Sequence, residues 1–220
     1  MLPLTETLPK AMIPVNGEPF IAHLLRMLAS RGVGRCVLCT SHLGEAIEAF
    51  VGDGSTYGID VAYSDDGPVR CGTAGALKRA LPALGERFLM TYGDAYLPVD
   101  YAAIASRFLE SEKHALMTVW HNRDRLAPSN VAMCDGEIVA YDKAPAGGGF
   151  EYIDYGVGAF QRTLFDEIPA GEPVDLAEVV RPAIGARSLA AFEVYERFYE
   201  IGSPAGLRDL EQYLREHGES

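Results

Sequence analysis

In Phe88-Leu-Met-Thr-Tyr-Gly-Asp94 a short apolar strand, Phe88 to Thr91, leads through a glycine to a carboxylate. Working outward, Ala74 to Leu81 has a helical pattern before it, Tyr101 to Glu110 another after it, and Ala115 to Trp120 reads as the next strand. The same rhythm runs toward the N-terminus. Phe20, Ile21, Leu24, Leu25 and Leu28 recur at a helical period within Pro19 to Ser30, which Gly32 ends. A strand at Cys36 to Thr40, a helix at Gly44 to Val51, a loop at residues 52–58 and a strand at Ile59 to Tyr63 follow. Alternation at this spacing predicts a mainly parallel sheet covered by helices on both faces.

Toward the C-terminus the rhythm changes. Val131 to Met133 and Glu137 to Ala140 flank Cys134-Asp-Gly136, a hairpin signal, and Gly147-Gly-Gly149 connects to a strand at Tyr152 to Phe160. The sheet is therefore expected to be mixed. A last helix from Pro204 to about His217 carries Leu207, Leu210 and Leu214 on one face, with Glu211 and Arg215 an i, i+4 pair on the other. Neither a repeat nor a linker divides the chain, so one domain over residues 1–220 is expected.

The 220 residues carry a net charge of −12, which argues against a nucleic-acid backbone or an anionic membrane surface as partner. An anionic substrate would need a cation to help. The sequence has neither an apolar run long enough to span a bilayer nor the basic-then-apolar order of a secretory signal, so the cytoplasm is expected. The four cysteines are Cys36, Cys39, Cys71 and Cys134. The first two form Cys-x-x-Cys on a predicted buried strand with no second close pair, and reduced core thiols are expected rather than zinc.

Five stretches could carry chemistry. Pro3, Pro9 and Pro14 exclude a regular helix or central strand, so Lys10 lies on a stiff loop. Such a lysine is either a solvated surface charge or a phosphate contact that loses little entropy on binding. Pro68-Val-Arg-Cys-Gly-Thr-Ala-Gly-Ala-Leu77 joins a strand to a helix, and Gly72 and Gly75 allow backbone to approach a flat or anionic ligand. Asp94 lies just past the carboxyl end of its strand, where ligands bind open α/β sheets. It suits Mg²⁺, which takes one or two carboxylates with phosphate oxygens and water, or else caps the following turn. Asp142 and Lys143 are adjacent and so face opposite ways on a strand, as a surface charge pair or as contacts to sugar hydroxyls and sugar phosphate. Glu200 sits in Phe198-Tyr-Glu-Ile-Gly202, an apolar setting in which a carboxylate needs a partner such as a metal.

In order, these stretches resemble the sugar-phosphate nucleotidylyltransferases, or nucleotide-sugar pyrophosphorylases, over nearly the whole chain. Leu8-Pro-Lys-Ala-Met-Ile-Pro-Val-Asn-Gly-Glu-Pro-Phe20 is similar to that family's second signature. Gly72-Thr-Ala-Gly-Ala76 resembles its base-binding turn and Gly93-Asp94 its metal-binding pair. Asp142-Lys143 resembles a Glu-Lys-Pro motif, Ile153-Asp-Tyr-Gly156 an Asn-x-Gly sugar-binding strand, and Glu200-Ile-Gly202 an Asp-x-Gly metal motif.

The resemblance implies a Rossmann-like α/β/α sandwich and attack of a sugar 1-phosphate on the α-phosphorus of a nucleoside triphosphate, with Mg²⁺ as cofactor. It implies Lys10 and Asp94 as catalytic residues and Asp94 with Glu200 as metal ligands. Gly72, Thr73, Ala74, Gly75 and Gly93 would bind the nucleotide, and Asn130, Asp142, Lys143, Asp154 and Gly156 the sugar phosphate. Asp142, Asp154 and Glu200 depart from the family's residue types, which bears on sugar contacts and metal geometry.

The family's opening strand and Gly-x-Gly-Thr-Arg phosphate loop are not in the sequence, so Met1 is expected to be an internal methionine of a longer protein. A sheet lacking that strand would have open edges prone to pair with a neighbour, making a homo-oligomer an expectation. A non-catalytic subunit binding a nucleotide or nucleotide-sugar is the alternative, although it would not need a lysine and two metal carboxylates together. A glycosyltransferase of related topology usually shows Asp-x-Asp, and Gly93-Asp94-Ala95-Tyr96 lacks the second acid.

Overall fold

The strand around Phe88 spans Arg87–Thr91 in the structure, a computed structural model that describes residues 8–67, 70–122, 128–145, 147–169 and 171–218. Readings placed on residues 1–7, Met1 and Pro3 among them, and on Pro68 and Val69 lie outside the described residues. In chain order the first elements are β1 (Pro14–Val15), β2 (Glu18–Pro19), α1 (Phe20–Ser30), β3 (Arg35–Thr40), α2 (Gly44–Val51) and β4 (Asp60–Asp65). Then come α3 (Gly72–Ala80), β5 (Arg87–Thr91), β6 (Ala95–Tyr96), α4 (Tyr101–Ser111), β7 (Ala115–His121), β8 (Val131–Cys134) and β9 (Glu137–Tyr141). The chain closes with β10 (Tyr152–Gln161), α5 (Ala177–Gly185), β11 (Leu189–Val194), β12 (Tyr199–Glu200) and α6 (Pro204–His217).

The chain divides into two compact units, and the first combines residues 1–70, 92–101 and 197–220. Its N-terminal hairpin turns on Asn16 and Gly17, both at positive φ, a conformation that Asn-Gly adopts at low cost. Pro14 and Pro19 face each other across this two-residue ladder, where a missing amide is tolerated. Helix α1 buries all five of its predicted apolar residues, and its exposed Arg26 makes a two-pronged contact with Glu18 at 2.5 and 2.6 Å. His23, also buried, meets the Val15 carbonyl through Nε2 at 2.9 Å.

Strands β3 and β4 are parallel and, among the described residues, pair only with each other. Such a two-stranded ribbon leaves much of β3 open. Only Thr40 of the strand is buried, so the expectation of a buried strand is corrected. All four cysteines are free thiols, but only Cys71 is a core residue; Cys36 is partly exposed, and Cys39 and Cys134 are exposed.

Helix α6 starts where Ser203 accepts the Gly206 amide at 3.0 Å and ends at Gly218 with φ 67°. It buries Leu210 and Leu214 completely. On its other face Arg215 turns away from the predicted i, i+4 partner to the side chain of Asn16, at 2.7 Å, while Asn16 donates to the Glu211 carbonyl at 3.1 Å.

The second unit, residues 71–91 and 102–196, holds a six-stranded sheet in the order β11-β7-β10-β8-β9. Strand β5 joins it on β10, and among the described residues this is its only ladder. Strands β5 and β7 flank β10 antiparallel to it, and β11 runs parallel to β7, so β5, β7 and β11 share one direction. The sheet is mixed, as the hairpin at Asp135-Gly136 implied, and the α/β class follows.

Strand β10 carries a bulge. Its register with β7 jumps from Asp154↔Val119 to Gly158↔Met117, so three residues of β10 face the single residue Thr118. Gly156 lies in this bulge at φ 107°, a conformation open mainly to glycine. Among the described residues no helix is long and apolar enough to cross a membrane.

Candidate active site

Lys10 is held by a single 3₁₀ turn, in which Met12 and Ile13 amides donate to the Pro9 and Lys10 carbonyls at 2.8 and 3.1 Å. Ile13 and Val15, both buried, nail that turn down. Its ammonium meets Asp94 Oδ2 at 2.5 Å, with both side chains partly open to solvent. Asp94 lies on a fixed backbone, because its carbonyl accepts the Ile201 amide at 3.1 Å and the next residue, Ala95, pairs with Glu200 in the β6–β12 ladder. A Cβ placed on Gly202 would lie 3.2 Å from Lys10 Nζ and 3.8 Å from Glu200 Oε1. The first unit thus gathers Lys10, Asp94 and Glu200, from three separate chain segments, around one glycine.

Packing from α6 keeps Glu200 there. A Cβ on Gly206 would lie 2.3 Å from the Glu200 carbonyl oxygen, a backbone clash, so only glycine allows the helix to come this close. Tyr199, beside Glu200, packs against Tyr213 of α6 with ring centroids 4.5 Å apart and the rings tilted by 33°. Arg197 pairs with Asp209 and lies over the Tyr199 ring.

Among the described residues no group of three or more His, Cys, Asp or Glu side chains converges on a metal site. Two carboxylates with no sulfur or imidazole form a hard-oxygen donor set, which fits Mg²⁺ completed by phosphate and water oxygens.

In the second unit the glycines of the Gly72 turn have a packing role. A Cβ on Gly72 would lie 2.5 Å from the Val174 carbonyl oxygen, and one on Gly75 would lie 2.9 Å from that of Glu172. The Ala74 and Gly75 amides donate to the Val174 carbonyl at 3.0 and 3.4 Å, and the Val174 amide donates to Cys71 at 2.8 Å. The close approach read from sequence is thus made, in this structure, by the chain's own residues 172–174. Thr73 and Ala74 lie between the two glycines, at the start of α3.

Asn130, Tyr141, Asp154 and Gly156 form a connected group. Asn130 Oδ1 accepts the Asp154 amide at 2.8 Å, and the Asp154 carboxyl accepts from the Gly156 amide at 3.1 Å and from the Tyr141 hydroxyl at 3.3 Å. Burial pushes this carboxyl up to about 6 despite those hydrogen bonds and the nearby Lys143 charge. Thr118, fully buried, fills the bulge beside it. Its hydroxyl donates to the Val157 carbonyl at 2.7 Å and accepts the Val157 amide at 3.1 Å, replacing ladder bonds that the bulge interrupts.

Asp142 and Lys143 are not paired with each other; β9 ends at Tyr141, so they lie just past the strand on which they were expected to alternate. Lys143 reaches Asp175 at 2.6 Å, and Asp142 accepts from Arg181 at 3.5 Å. Asp175 and Arg181 escaped the sequence reading, as did Tyr141 as a member of the group. An aspartate just before the apolar start of a helix was a readable cap signal for Asp175. The Asp175 carboxyl lies below the usual range, since the Lys143 hydrogen bond, the Ala177 amide and the nearby cations outweigh the effect of burial.

A model of the nucleotidyl transferase family matches residues 1–171. The N-acetylmuramate alpha-1-phosphate uridylyltransferase of Neisseria meningitidis is 29% identical over 218 residues, covering 96% of this chain and 91% of that protein. A UTP–glucose-1-phosphate uridylyltransferase of Synechocystis is 29% identical over 210 residues, which cover 87% of this chain and 54% of that relative, so the chain spans about half its length. Among solved structures, HddC from Yersinia pseudotuberculosis, complexed with GMP-PN, has a TM-score of 0.79 at 20% identity, covering 94% of this chain and 90% of that one.

Proposed function

This chain belongs to the nucleotidyl transferase family, and we propose that it transfers a nucleoside monophosphate from a nucleoside triphosphate to a sugar 1-phosphate. An oxygen of the sugar phosphate attacks the α-phosphorus, the bond between the α- and β-phosphates breaks, and pyrophosphate leaves. The observation that carries this reading is the gathering of Lys10, Asp94 and Glu200 around Gly202. Such transfer gains mainly from positioning and from neutralising charge that builds on phosphate oxygens. Lys10, on its stiff turn, neutralises charge at the transferring phosphate, and Asp94 orients its ammonium. Asp94 and Glu200 would hold Mg²⁺, whose charge acts as the Lewis acid of the transfer when bound.

In the second unit the Gly72, Thr73, Ala74 and Gly75 turn receives the nucleotide; Gly93, in the first unit, is also assigned to nucleotide binding. Asn130, Asp142, Lys143, Asp154 and Gly156 receive the sugar phosphate, with Lys143 at the phosphate and the acids accepting from hydroxyls. The sequence relatives are themselves transferases, which favours catalysis over a binding-only subunit. The proposed setting is the cytoplasm.

The test is a panel. Each nucleoside triphosphate is mixed with sugar 1-phosphates and Mg²⁺, and nucleotide-sugar is read by mass spectrometry. UTP with N-acetylmuramate α-1-phosphate, the sugar phosphate and uridylyl group named for the Neisseria relative, is the first combination to try. Accumulation of one nucleotide-sugar together with pyrophosphate is expected. Nucleotide binding with no product from any pair would return the chain to the binding-subunit reading.

A further inference from the structure

Asp175 is fixed from three directions. Its neighbour Val174 is bonded at both amide and carbonyl to the Gly72 turn, through Cys71, Ala74 and Gly75. Its own Oδ1 accepts the Ala177 amide at 2.8 Å, where α5 begins. Its Oδ2 is then left to meet Lys143 Nζ at 2.6 Å. Lys143, in contrast, begins a connection through Ala144, Pro145 and Gly147-Gly-Gly149, a sequence with little intrinsic preference for one path. From the same helix Arg181 Nε donates to the Tyr141 carbonyl at 3.3 Å, which holds the end of β9 against α5.

We propose that Asp175 is a positioning residue that holds Lys143 ready for the phosphate of the sugar substrate, tying that lysine through residues 172–175 to the turn at Gly72. The proposal rests on the reading of Lys143 as the sugar-phosphate cation. Asp175 touches no substrate atom; it limits where a long, otherwise mobile ammonium can be, so less order is lost when phosphate arrives. Because Val174 occupies the Ala74 and Gly75 amides, the lysine's anchor and the nucleotide turn share one rigid piece of backbone.

The test is a double-mutant cycle of Asp175→Asn and Lys143→Gln, read as separate KM values for the two substrates and as kcat. Asparagine keeps an acceptor for the Ala177 amide, so α5 retains its start. Asp175→Asn is expected to raise the sugar-phosphate KM about fivefold, near the upper end for a partly exposed ion pair, and to leave kcat and the nucleotide KM within about twofold. In the Lys143→Gln background it should add nothing. A sugar-phosphate KM unmoved by Asp175→Asn but raised by Lys143→Gln would overturn the proposal, as would full additivity of the two. If Lys143→Gln itself leaves that KM unchanged, the sugar-phosphate reading of Lys143 fails and takes the proposal with it. Should Asp175→Asn fail to fold, Asp175→Ser keeps a capping oxygen and carries the same measurement.

Discussion

Ionising Asp154 costs the fold free energy, because burial raises its carboxyl to about 6 while the unfolded chain titrates near the ordinary carboxylate value of about 3.9. Between those values the native state holds a proton that the unfolded chain has lost, so stability falls as pH rises through the window and stays lower above it. Below about pH 4 both states are protonated and the effect is absent. Asp154→Asn removes the titration and keeps one oxygen, for the Gly156 amide; its NH₂ replaces the oxygen that accepts from Tyr141, whose hydroxyl can turn to accept from it. At pH 8 it should stabilise the protein by roughly 1–3 kcal/mol, or about 2–10 °C in Tm, and by little at pH 4. Thermal unfolding of both proteins at the two pH values checks this, and an equal difference at both would count against it. A carboxyl that weakens its own fold, next to a glycine in a bulge, has the character of a residue kept for binding.

At the scale of elements the bulge in β10 matters most. Thr118 bonds both the Val157 amide and carbonyl across it, so Thr118→Val, nearly equal in volume, should take a partner from each in a buried place. The expected loss is about 2 kcal/mol, or roughly 4–8 °C, together with a larger rise in the sugar-phosphate KM than in the nucleotide KM. A stable variant with unchanged kinetics would show that the bulge does not need its hydroxyl. This feature was not legible beforehand, since the partner of Val157 lies 39 residues away in sequence. What could be read was local. Helices α1, α2 and α6 follow their apolar period and their glycine or serine ends, and the β8–β9 hairpin follows Asp135-Gly136, both at positive φ. Helix α5 carries Pro182 inside it, which masks the helical pattern. Strands β6 and β12 are two residues long and exist only because each finds the other. The burial expected of β3 failed for a related reason, since a strand's composition does not say how many layers will cover it.

Across the whole molecule, the proposed function has an acidic chain handle acidic substrates with a few cations placed where phosphates would sit. With a net charge of −12, the surrounding field repels polyphosphates, and Lys10 and Lys143, both partly open to solvent, are each held by a carboxylate. Much of the candidate site was legible because its motifs follow in order along the chain. Lys10, Asp94 and Glu200 stood out as a cation on a stiff loop, an acid at a strand end and an acid in an apolar run. The helpers Asp175, Arg181 and Thr118 did not, because their roles depend on partners brought near only by folding. The central claim is that the cluster around Gly202 performs the transfer, and the direct measurement is kcat for pyrophosphate release by Lys10→Met at saturating substrates. A fall of about 10²- to 10³-fold is expected, the usual loss on removing one preorganised charge contact to a transition state, with both KM values within a few-fold. A kcat equal to that of the unaltered protein would contradict it.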